Sequence, residues 1–512
     1  MDRTLAEHLL ALPEGSIVST AGDLNVLITA PFEENSAAVK PGGVFVARKG
    51  RNVDGHAFIP AAVAQGAAAV VGEASLADCP VPYVQVHDAM AATGYLAASF
   101  HRFPARELIV IGVTGTDGKT TTSTLIHAVL KHALGDKVGL ISTISADFGG
   151  TSLETGLHVT TPSAPEVQNY LAMMRSAGLT HVVLEMTSHG LAQGRLNGVD
   201  VDVAVLTNIT HEHLDYHGTW ENYRYAKSLL FRQLERSQRK PGQAKISVLN
   251  ADDPSYGYMA ALKADQIVSY SAGGLQTADY RAAEIQFGSG GTTFLLNEKE
   301  RLQTRLFGHF NVANALAAVA VARSLGISDV QPGLLTITGV SGRMEAIDEG
   351  QNFIAMVDFA HTPNALRSVL QTARQMLQPG RKLIAVFGSA GLRDVEKRRM
   401  MAETSAQLAD ISVLTAEDPR TESLDEILAM MAAGCEAYGG QEGVTFYRVP
   451  DRGAALHFAC QMAQEGDMVI ACGKGHEQSM CFGTIEYPWD DREALRAALR
   501  GTPLKTLPTA AG

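Results

Sequence analysis

The sequence predicts an α/β protein with three domains, on three observations. At 512 residues, the chain has room for about three domains of ordinary size, ~100–200 residues each. Continuous apolar runs of strand length recur along it, and many of them run into glycine or polar residues. A hydrophobic fraction of 46% excludes a disordered chain and allows a large buried core.

The runs divide the chain into three parts. Residues 1–106 contain short apolar runs broken by glycine and proline, which predict a small α/β domain ending at the polar break 101–106. Residues 107–340 begin with the apolar run 108–113, a glycine-rich turn and a helical pattern near Thr120, which is the order of a parallel-sheet unit. Residues 341–512 repeat this order, with apolar runs at 383–387, 411–414 and 468–471.

Charge and cysteine content narrow the partners and the compartment. The formal net charge is −12, which argues against binding to nucleic acid or to an anionic membrane surface. Five scattered cysteines without a C-x-x-C spacing argue against a disulfide framework and a thiolate zinc site. The sequence shows no export signal and no apolar stretch of about 18 residues. We expect a soluble cytoplasmic protein without membrane insertion.

The strongest motif is the glycine-rich turn that follows residues 108–113. A strict G-x-x-x-x-G-K-[ST] pattern requires glycine at position 113, where the chain has Val113. Gly115 and Gly118 still allow a turn that directs backbone N–H groups at phosphate oxygens, and Lys119 can reach terminal phosphates. The alternative interpretation, a glycine turn with only a structural role, is the weaker one. Asp117 speaks against phosphate binding, because a carboxylate is unfavourable beside a polyphosphate unless it faces away or contacts a metal.

Chemical side chains follow the next apolar runs as well. Glu185 follows the run 182–184, and a stretch with three histidines follows the run 203–206. Ligands of open parallel sheets bind at the carboxyl ends of strands, so Glu185 and Thr120 are candidate oxygen ligands for magnesium. The histidine stretch lacks the H-E-x-x-H spacing of a zinc site. From spacing alone, Lys227 is predicted to be an exposed lysine on an amphipathic helix.

Six segments, in this order and spacing, resemble the Mur ligases over nearly the whole chain, and within them the ligases that add the third residue of the peptidoglycan stem peptide. They are residues 114–121, 308–318, 341–345, 358–366, 417–420 and 473–477. The resemblance implies an N-terminal domain for the UDP-linked substrate at 1–106, a central P-loop ATPase-like domain at 107–340 and a C-terminal Rossmann-like domain at 341–512 that binds the amino acid.

The resemblance also implies the activity. ATP phosphorylates the free carboxylate of UDP-N-acetylmuramoyl-L-alanyl-D-glutamate, and the amine of a diamino acid displaces phosphate from the acyl phosphate. Mg²⁺ and ATP are the expected cofactor and co-substrate, and a monomer is expected.

The positions that match family motifs fall into four groups. The magnesium and catalytic group is Lys119, Thr120, Glu185, His213 and Lys227, the last carbamylated. The ATP group is Gly115, Thr116, Asp117, Gly118, Lys119, Thr120, Thr121, Asn311, Asn314, Arg343 and Asp358. The UDP-substrate group is Ser36, Thr160, Thr161, Ser188, Gln193 and Arg195. The amino-acid group is Arg393, Glu417, Asp418, Arg420, Gly473 and Glu477.

The chain departs from the family pattern in two places. At the uridine site it has Ala37 where an arginine is common, so only Ser36 carries over. In the amino-acid motif it has Glu417-Asp418-Pro419-Arg420 in place of Asp-Asn-Pro-Arg. Arg420 suits the distal carboxylate of meso-diaminopimelate, which we favour, whereas the charge of Asp418 suits lysine or ornithine. A folylpolyglutamate- or cyanophycin-type ligase and a non-catalytic nucleotide-binding regulator are the alternatives.

Overall fold

A computed structural model describes residues 3–50, 53–76, 78–143, 145–154, 161–210, 214–288 and 290–506. Three main sheets follow one another along the chain, which confirms the predicted fold class. We call the parts that carry them the N-terminal, central and C-terminal regions. The predicted boundaries at 106/107 and 340/341 stay a prediction. No helix in the described part of the chain is long and apolar enough to cross a membrane.

The N-terminal region has a five-stranded sheet in the order β2-β7-β6-β5-β4, parallel except for β2. A short β1–β3 pair lies beside it. The strands are β1 Arg3–Thr4, β2 Ile17–Ala21, β3 Leu27–Ile28, β4 Phe32–Glu33, β5 Val44–Ala47, β6 Ala69–Gly72 and β7 Tyr83–Val86. The helices are α1 Leu5–Leu9, α2 Ile59–Ala64 and α3 Ala89–Phe100.

The central region has an eleven-stranded sheet in the order β11-β10-β9-β12-β8-β13-β14-β15-β16-β17-β18. Its strands are β8 Ile109–Thr114, β9 Val138–Ile141, β10 Ser145–Asp147, β11 Ser152–Glu154, β12 His181–Glu185, β13 Val203–Leu206, β14 Ile246–Asn250, β15 Gln266–Ser271, β16 Tyr280–Gly288, β17 Gly291–Leu296 and β18 Glu300–Thr304. Its helices are α4 Lys119–Leu134, α5 Ala164–Ser176, α6 Ser188–Ala192, α7 Leu214–His217, α8 Trp220–Arg236, α9 Tyr256–Ala260, α10 His309–Ser324 and α11 Gln331–Thr336.

The middle of this sheet is parallel from β9 to β16 and is covered on both faces. The strands β8, β12 and β13 are buried almost throughout, which explains why they appear in the sequence as uninterrupted apolar runs. Their carboxyl ends meet at one edge of the sheet. Glu185 ends β12 and the phosphate loop follows β8, so the fold brings the two predicted elements together.

The C-terminal region has a six-stranded sheet in the order β19-β20-β24-β21-β22-β23, parallel except for β19. Its strands are β19 Glu345–Ala346, β20 Ile354–Asp358, β21 Leu383–Phe387, β22 Ile411–Leu414, β23 Phe446–Arg448 and β24 Met468–Cys472, and a separate hairpin is formed by β25 Ser479–Phe482 and β26 Ile485–Pro488. Its helices are α12 Pro363–Met376, α13 Glu396–Leu408, α14 Leu424–Ala437, α15 Arg452–Met462 and α16 Asp491–Leu499.

Candidate active site

The phosphate loop connects β8 to α4 and needs both of its glycines. Gly115 and Gly118 have φ values of +153° and +79°. A Cβ atom at Gly115 would lie 1.8 Å from Thr207 Oγ1, and one at Gly118 would lie 2.5 Å from Asn314 Oδ1. The loop therefore packs its backbone against neighbouring side chains in a way that only glycine allows.

The next strand of the sheet holds the first half of the loop. The N–H groups of Thr116 and Asp117 donate to the backbone oxygen and the side-chain oxygen of Asn208, at 2.7 and 2.9 Å. Thr207 Oγ1 donates to the Asp117 carbonyl at 2.6 Å. Within the described residues, the backbone N–H groups of 118–121 donate to no protein acceptor. These helix-start N–H groups are the part of the loop that can bind phosphate.

Thr120 and Glu185 form the oxygen-rich part of the site. Thr120 Oγ1 lies 3.0 and 3.1 Å from the two carboxylate oxygens of Glu185, and both residues are buried. The backbone N–H and hydroxyl of Thr143 donate to the same carboxylate at 3.1 and 3.0 Å. Magnesium prefers hard oxygen ligands at ~2.0–2.1 Å in an octahedron, whose neighbouring oxygens are about 2.9 Å apart. The donor set of Thr120 and Glu185 therefore fits magnesium.

Two lysines approach the loop from different sides. Lys119 Nζ donates to the Thr116 carbonyl at 2.8 Å. Lys227 lies on α8 with 1% of its surface exposed, and its Nζ donates to the Gly115 carbonyl at 2.5 Å. Its Nζ also lies 4.4 Å from the ring centre of Tyr223. The interpretation of Lys227 as an exposed helix lysine is wrong, because this face of α8 packs on the loop. Its carbamylation stays a prediction.

Two predicted residues, His213 and Thr160, lie outside the described residues. Their assignments to magnesium and to the muramoyl substrate stay predictions.

Asn311 and Asn314, which the resemblance assigned to ATP, lie on α10, and Asn314 contacts the start of α4. Asn314 Oδ1 accepts from the Thr122 hydroxyl at 3.1 Å, and Asn314 Nδ2 donates to Asn311 Oδ1 at 3.0 Å. Asn311 Nδ2 donates in turn to the Phe307 carbonyl at 2.7 Å. Asn314 is next to Gly118, so α10 forms one wall behind the start of α4.

Arg343 and Asp358 lie at the start of the C-terminal region and face the loop. Burial lowers the pKa of Arg343, while the carboxylates of Asp358, Glu185 and Asp117 oppose that shift. Burial likewise raises the pKa of Asp358, against the opposing charge of Arg343. The Asp358 carboxylate accepts from the backbone N–H groups of Met344 and Ala360, both at 2.7 Å. These two bonds fix the carboxylate that we assigned to a ribose.

A direct hydrogen bond joins the loop to the C-terminal region. Asn364 Nδ2, in the first turn of α12, donates to Asp117 Oδ2 at 3.2 Å. Thr362 caps this helix by accepting from the Ala365 N–H at 3.1 Å, which fixes the first turn. Asp117 therefore interacts with the facing region, which accounts for a carboxylate within a phosphate loop.

The residues predicted to hold the UDP-linked substrate form a connected group around α6. Arg195 donates to Gln193 Oε1 at 2.9 Å and to the Thr161 carbonyl at 2.7 Å. Ser188 Oγ is hydrogen-bonded to the His217 ring at 3.1 Å. Burial lowers the pKa of Arg195, and nearby charges of Glu34 and Arg48 in the N-terminal region act on it in opposite directions.

Ser36 lies apart from this group in the contacts that the structure describes. It begins a short 3-10 helix, residues 36–38, which is capped by Asn35 Oδ1 accepting from the Ala37 N–H at 3.0 Å. Ser36 is half-buried. Its link to Arg195 is indirect, through Glu34 two residues earlier in the chain.

All six residues predicted for the amino acid line a single cavity of about 150 Å³ in the C-terminal region. Also in its lining are His361, Pro363 and Lys397. Arg420 Nη1 donates to the Gly391 carbonyl at 3.1 Å, which holds its guanidinium at the wall. Gly473 has a φ of +114°, and a Cβ there would lie 2.6 Å from Glu417 Oε2. Four separate segments thus meet around this space.

Asp418 and Glu417, the two acids at which the amino-acid motif differs from the family pattern, have different surroundings. Asp418 Oδ1 accepts from Lys474 Nζ and from the Cys481 N–H, each at 2.9 Å. Burial lowers the pKa of Lys474, but the charges of Glu477 and Asp418 outweigh it and raise that pKa above its usual range. Lys474 Nζ also lies 2.6 Å from Glu477 Oε2, so Asp418 is paired within the protein with a cation that it shares with a second acid.

Glu417 is 6% exposed, and its Oε2 has no hydrogen-bond partner among the described residues. Burial raises the pKa of its carboxyl group. A buried ion pair positions this residue, because Arg452 donates to Asp491 and also to the carbonyls of Ala416 and Cys472 at 3.1 and 2.9 Å. Those carbonyls directly precede Glu417 and Gly473, so the pair fixes both sides of the cavity.

Several supporting residues escaped the sequence analysis. Thr143, which holds Glu185, follows β9, so the strand-end rule that located Glu185 could also have found it. Tyr223 interacts with the loop through Thr116 Oγ1 at 3.1 Å, but nothing in the sequence distinguishes it from other aromatic residues of a helix. Asn364 was inside a recognised segment without an assigned role.

A phosphate loop on a parallel sheet, facing a charged cavity on a second parallel sheet, defines a nucleotide-dependent transfer enzyme with two substrate sites. Comparison with family models gives three matches. Residues 113–322 match the Mur ligase middle domain, 342–475 match the Mur ligase, glutamate ligase domain, and 34–101 match the Mur ligase family, catalytic domain. The chain belongs to the Mur ligase family, and the resemblance in the sequence motifs is confirmed.

Similar proteins extend the match over nearly the full length. The chain is 42% identical to a UDP-N-acetylmuramoyl-L-alanyl-D-glutamate--2,6-diaminopimelate ligase of Geobacillus thermodenitrificans, covering 96% of this chain and 99% of the relative. It is 42% identical to a UDP-N-acetylmuramyl-tripeptide synthetase of Roseiflexus, covering 91% and 93%. A solved diaminopimelate ligase structure, 31% identical, covers 98% of this chain and 99% of that one with a TM-score of 0.65. The Acinetobacter baumannii MurF structure, 21% identical with a TM-score of 0.66, shares the fold.

Proposed function

We propose that this chain is an ATP-dependent ligase that joins an amine of meso-diaminopimelate to the free glutamyl carboxylate of UDP-N-acetylmuramoyl-L-alanyl-D-glutamate. The observation that carries the proposal is the short path between the two halves of the site. Asn364 contacts Asp117 of the phosphate loop, and its neighbour Pro363 lines the amino-acid cavity. A phosphorylated carboxylate at the loop would therefore lie within reach of an amine held in the cavity.

The central region supplies the first step, in which the substrate carboxylate takes the terminal phosphoryl group of ATP. The N–H groups of residues 118–121 and the ammonium of Lys119 stabilise negative charge on the phosphates. Thr120 and Glu185 would hold magnesium, with His213 and carbamylated Lys227 serving a second ion. Bound magnesium neutralises charge on the transferred phosphoryl group. Arg195 and Gln193 hold the anionic muramoyl substrate beside α6.

The C-terminal region supplies the second step, in which the amine attacks the acyl carbon and phosphate leaves with the former carboxylate oxygen. Because Lys474 and the Cys481 N–H already pair with Asp418, its charge is a poor partner for a terminal ammonium. Arg420 and Arg393 provide guanidinium groups that suit a distal carboxylate. The unpartnered Oε2 of Glu417 can accept a hydrogen bond from an ammonium group of the same molecule. These contacts favour diaminopimelate over lysine and ornithine.

The test is a phosphate-release assay with magnesium, ATP and the muramoyl dipeptide, supplied in turn with meso-diaminopimelate, L-lysine or L-ornithine. We expect release only when the dipeptide and meso-diaminopimelate are both present. If lysine or ornithine supports release and meso-diaminopimelate does not, the amino-acid assignment is overturned, but the ligase activity stands. No release with any of the three would overturn the ligase itself. Location in the cytoplasm and a monomeric state stay predictions.

The sequence also allowed two alternative functions. A folylpolyglutamate-type ligase shares the fold, as a Mycobacterium tuberculosis folylpolyglutamate synthase structure does at 17% identity and a TM-score of 0.59. The near-full-length relatives at 42% identity favour the muramoyl substrate. A non-catalytic regulator is disfavoured by the retained Lys119, Thr120 and Glu185.

A further inference from the structure

A second cavity, of about 630 Å³, lies between the N-terminal and central regions. Ligand sites commonly have volumes of ~300–1,000 Å³, so it has room for a molecule of nucleotide size. We call it the arginine cleft, and we define it by six of its lining residues: Arg3, Tyr95, Phe103, Arg106, Arg232 and Arg236.

The arginine cleft is distinct from the ligase site. Arg106 precedes β8, whereas the phosphate loop follows it, so the strand separates them by about 20 Å at ~3.3 Å per residue. Asp200, another lining residue, likewise precedes β13. Of the described residues assigned above to ATP, magnesium, the muramoyl substrate or the amino acid, none lines the cleft.

The carboxylates of the cleft are already engaged. Asp200 accepts from Arg106 Nε at 3.0 Å and from the Gln238 N–H at 2.8 Å. Glu7 accepts from the Thr4 N–H at 2.7 Å, as part of the cap of α1. These are the two acidic residues in the lining, against four arginines. In a chain with a net charge of −12, this is a local positive surface.

Among the described residues, the other three arginines of the cleft, Arg3, Arg232 and Arg236, have no carboxylate oxygen within 4.0 Å. Arg232 and Arg236 are four residues apart on α8, so they lie on the same helix face, one turn apart. Arg232 donates through Nε to Ser228 Oγ at 3.4 Å and through Nη2 to Tyr258 Oη at 3.5 Å. Its Nη1 and the guanidinium of Arg236 can donate N–H groups to phosphate oxygens.

Aromatic rings complete the lining. The Arg106 guanidinium carbon lies 3.8 Å from the ring centre of Phe103, which keeps that cation stacked at the wall. Tyr95 projects from α3 in the N-terminal region, while Arg232 and Arg236 project from the central region. Flat rings beside guanidinium groups suit a ligand that has both a phosphate and a planar ring.

We infer that the arginine cleft is a second anion site that binds a phosphorylated small molecule of nucleotide size. The phosphate would pair with Arg232 and Arg236, and a planar ring would lie against Tyr95. The inference concerns binding alone and does not depend on the proposed ligase activity.

The test is calorimetric titration of the full chain with inorganic pyrophosphate and with adenosine 5′-monophosphate, in the presence of magnesium and without other nucleotides. The phosphate loop is unchanged in the cleft variants below, so its binding event is common to all the chains and a difference between them reports the cleft. The double variant Arg232→Ala/Arg236→Ala should lose about tenfold or more in affinity for both probes. Arg239→Ala/Arg301→Ala, two arginines outside the cleft, should bind both as the unaltered chain does. Tyr95→Ala should weaken the monophosphate and not pyrophosphate.

Equal affinity in the cleft variant and its control, or no second binding event in the unaltered chain, would overturn the inference. Arg236→Gln serves if the double variant is unstable, because Arg236 is exposed and its replacement leaves the helix intact. This single variant should still weaken pyrophosphate binding, and unchanged binding would equally overturn the inference.

Discussion

The phosphate loop of the central region and the cavity of the C-terminal region offer different groups to a charged ligand. The loop presents backbone N–H groups of consecutive residues, with Lys119 and Thr120 adjacent in sequence. The cavity presents side chains from four separate segments, including Arg393, Arg420 and Glu477. A loop that binds through its backbone tolerates few substitutions and suits a nucleotide that many proteins bind. A cavity lined by side chains can become specific for another ligand when one lining residue is substituted.

This difference explains how far the sequence could predict the molecule. The buried parallel strands were clear because both faces are apolar, and the run 203–206 is strand β13 to the residue. Gly115 to Thr120 could be identified because a short local pattern forms the loop. The burial of Lys227 could not, since it depends on α8 packing against a loop more than 100 residues away.

The charge state of the cavity also lay beyond the sequence. Asp418 alone suggested a partner for a terminal ammonium, but its pairing with Lys474 is a contact across 56 residues. The negative net charge of the chain likewise gave no indication of where its arginines and lysines cluster. Burial and pairing, rather than residue identity, decide what each acid can bind.

Removing the cation of the phosphate loop should have the largest effect on activity. Lys119→Ala should lower the rate of phosphate release by about 10²–10³-fold or more, because a charge-stabilising donor is lost in the transition state. The measurement is the steady-state rate with saturating ATP, dipeptide and amino acid. Lys131→Ala, on the same helix and paired with Asp147, is the control and should keep its activity. Near-normal turnover of Lys119→Ala would refute the loop's role.

A second variant tests whether Lys227 acts as a carboxylate. Lys227→Ala should lose most activity, and added formate, acetate or propionate should restore part of it if the lysine is carbamylated. Rescue is measured as the rise in phosphate release with carboxylate concentration, against the same additions to the unaltered chain. Absence of rescue in a folded variant would leave Lys227 as a structural donor to Gly115 and would reject the carbamylation.

A change in the cavity should affect one substrate only. Arg420→Ala should raise the KM for meso-diaminopimelate by roughly 10–100-fold, as expected for a lost charge-assisted hydrogen bond, and leave the KM for ATP unchanged. Arg420→Lys should recover only part of this, because an ammonium lacks the guanidinium fork. Equal increases in both KM values would show that the two halves of the site are not separable.

The smallest expected effect is on stability. Burial raises the folded-state pKa of Glu417 above its ordinary value of 4.5, so ionisation at neutral pH costs folding free energy. Glu417→Gln should therefore stabilise the free protein at pH 7 by an amount on the order of 1 kcal/mol. The gain should fade as the pH falls towards 4.5 and be absent below it, where the carboxyl group is protonated in both states. Thermal unfolding at several pH values measures it, and a pH-independent difference would contradict the assignment.

The most direct test of the division between loop and cavity follows the carboxylate oxygen of the muramoyl dipeptide. The free glutamyl carboxylate is labelled with ¹⁸O, and the phosphate released in the presence of meso-diaminopimelate is analysed by mass spectrometry. Transfer of the phosphoryl group at the loop, followed by amine attack from the cavity, predicts one ¹⁸O atom in each phosphate formed. Released phosphate without ¹⁸O would contradict the acyl-phosphate route and the two-step division of the site.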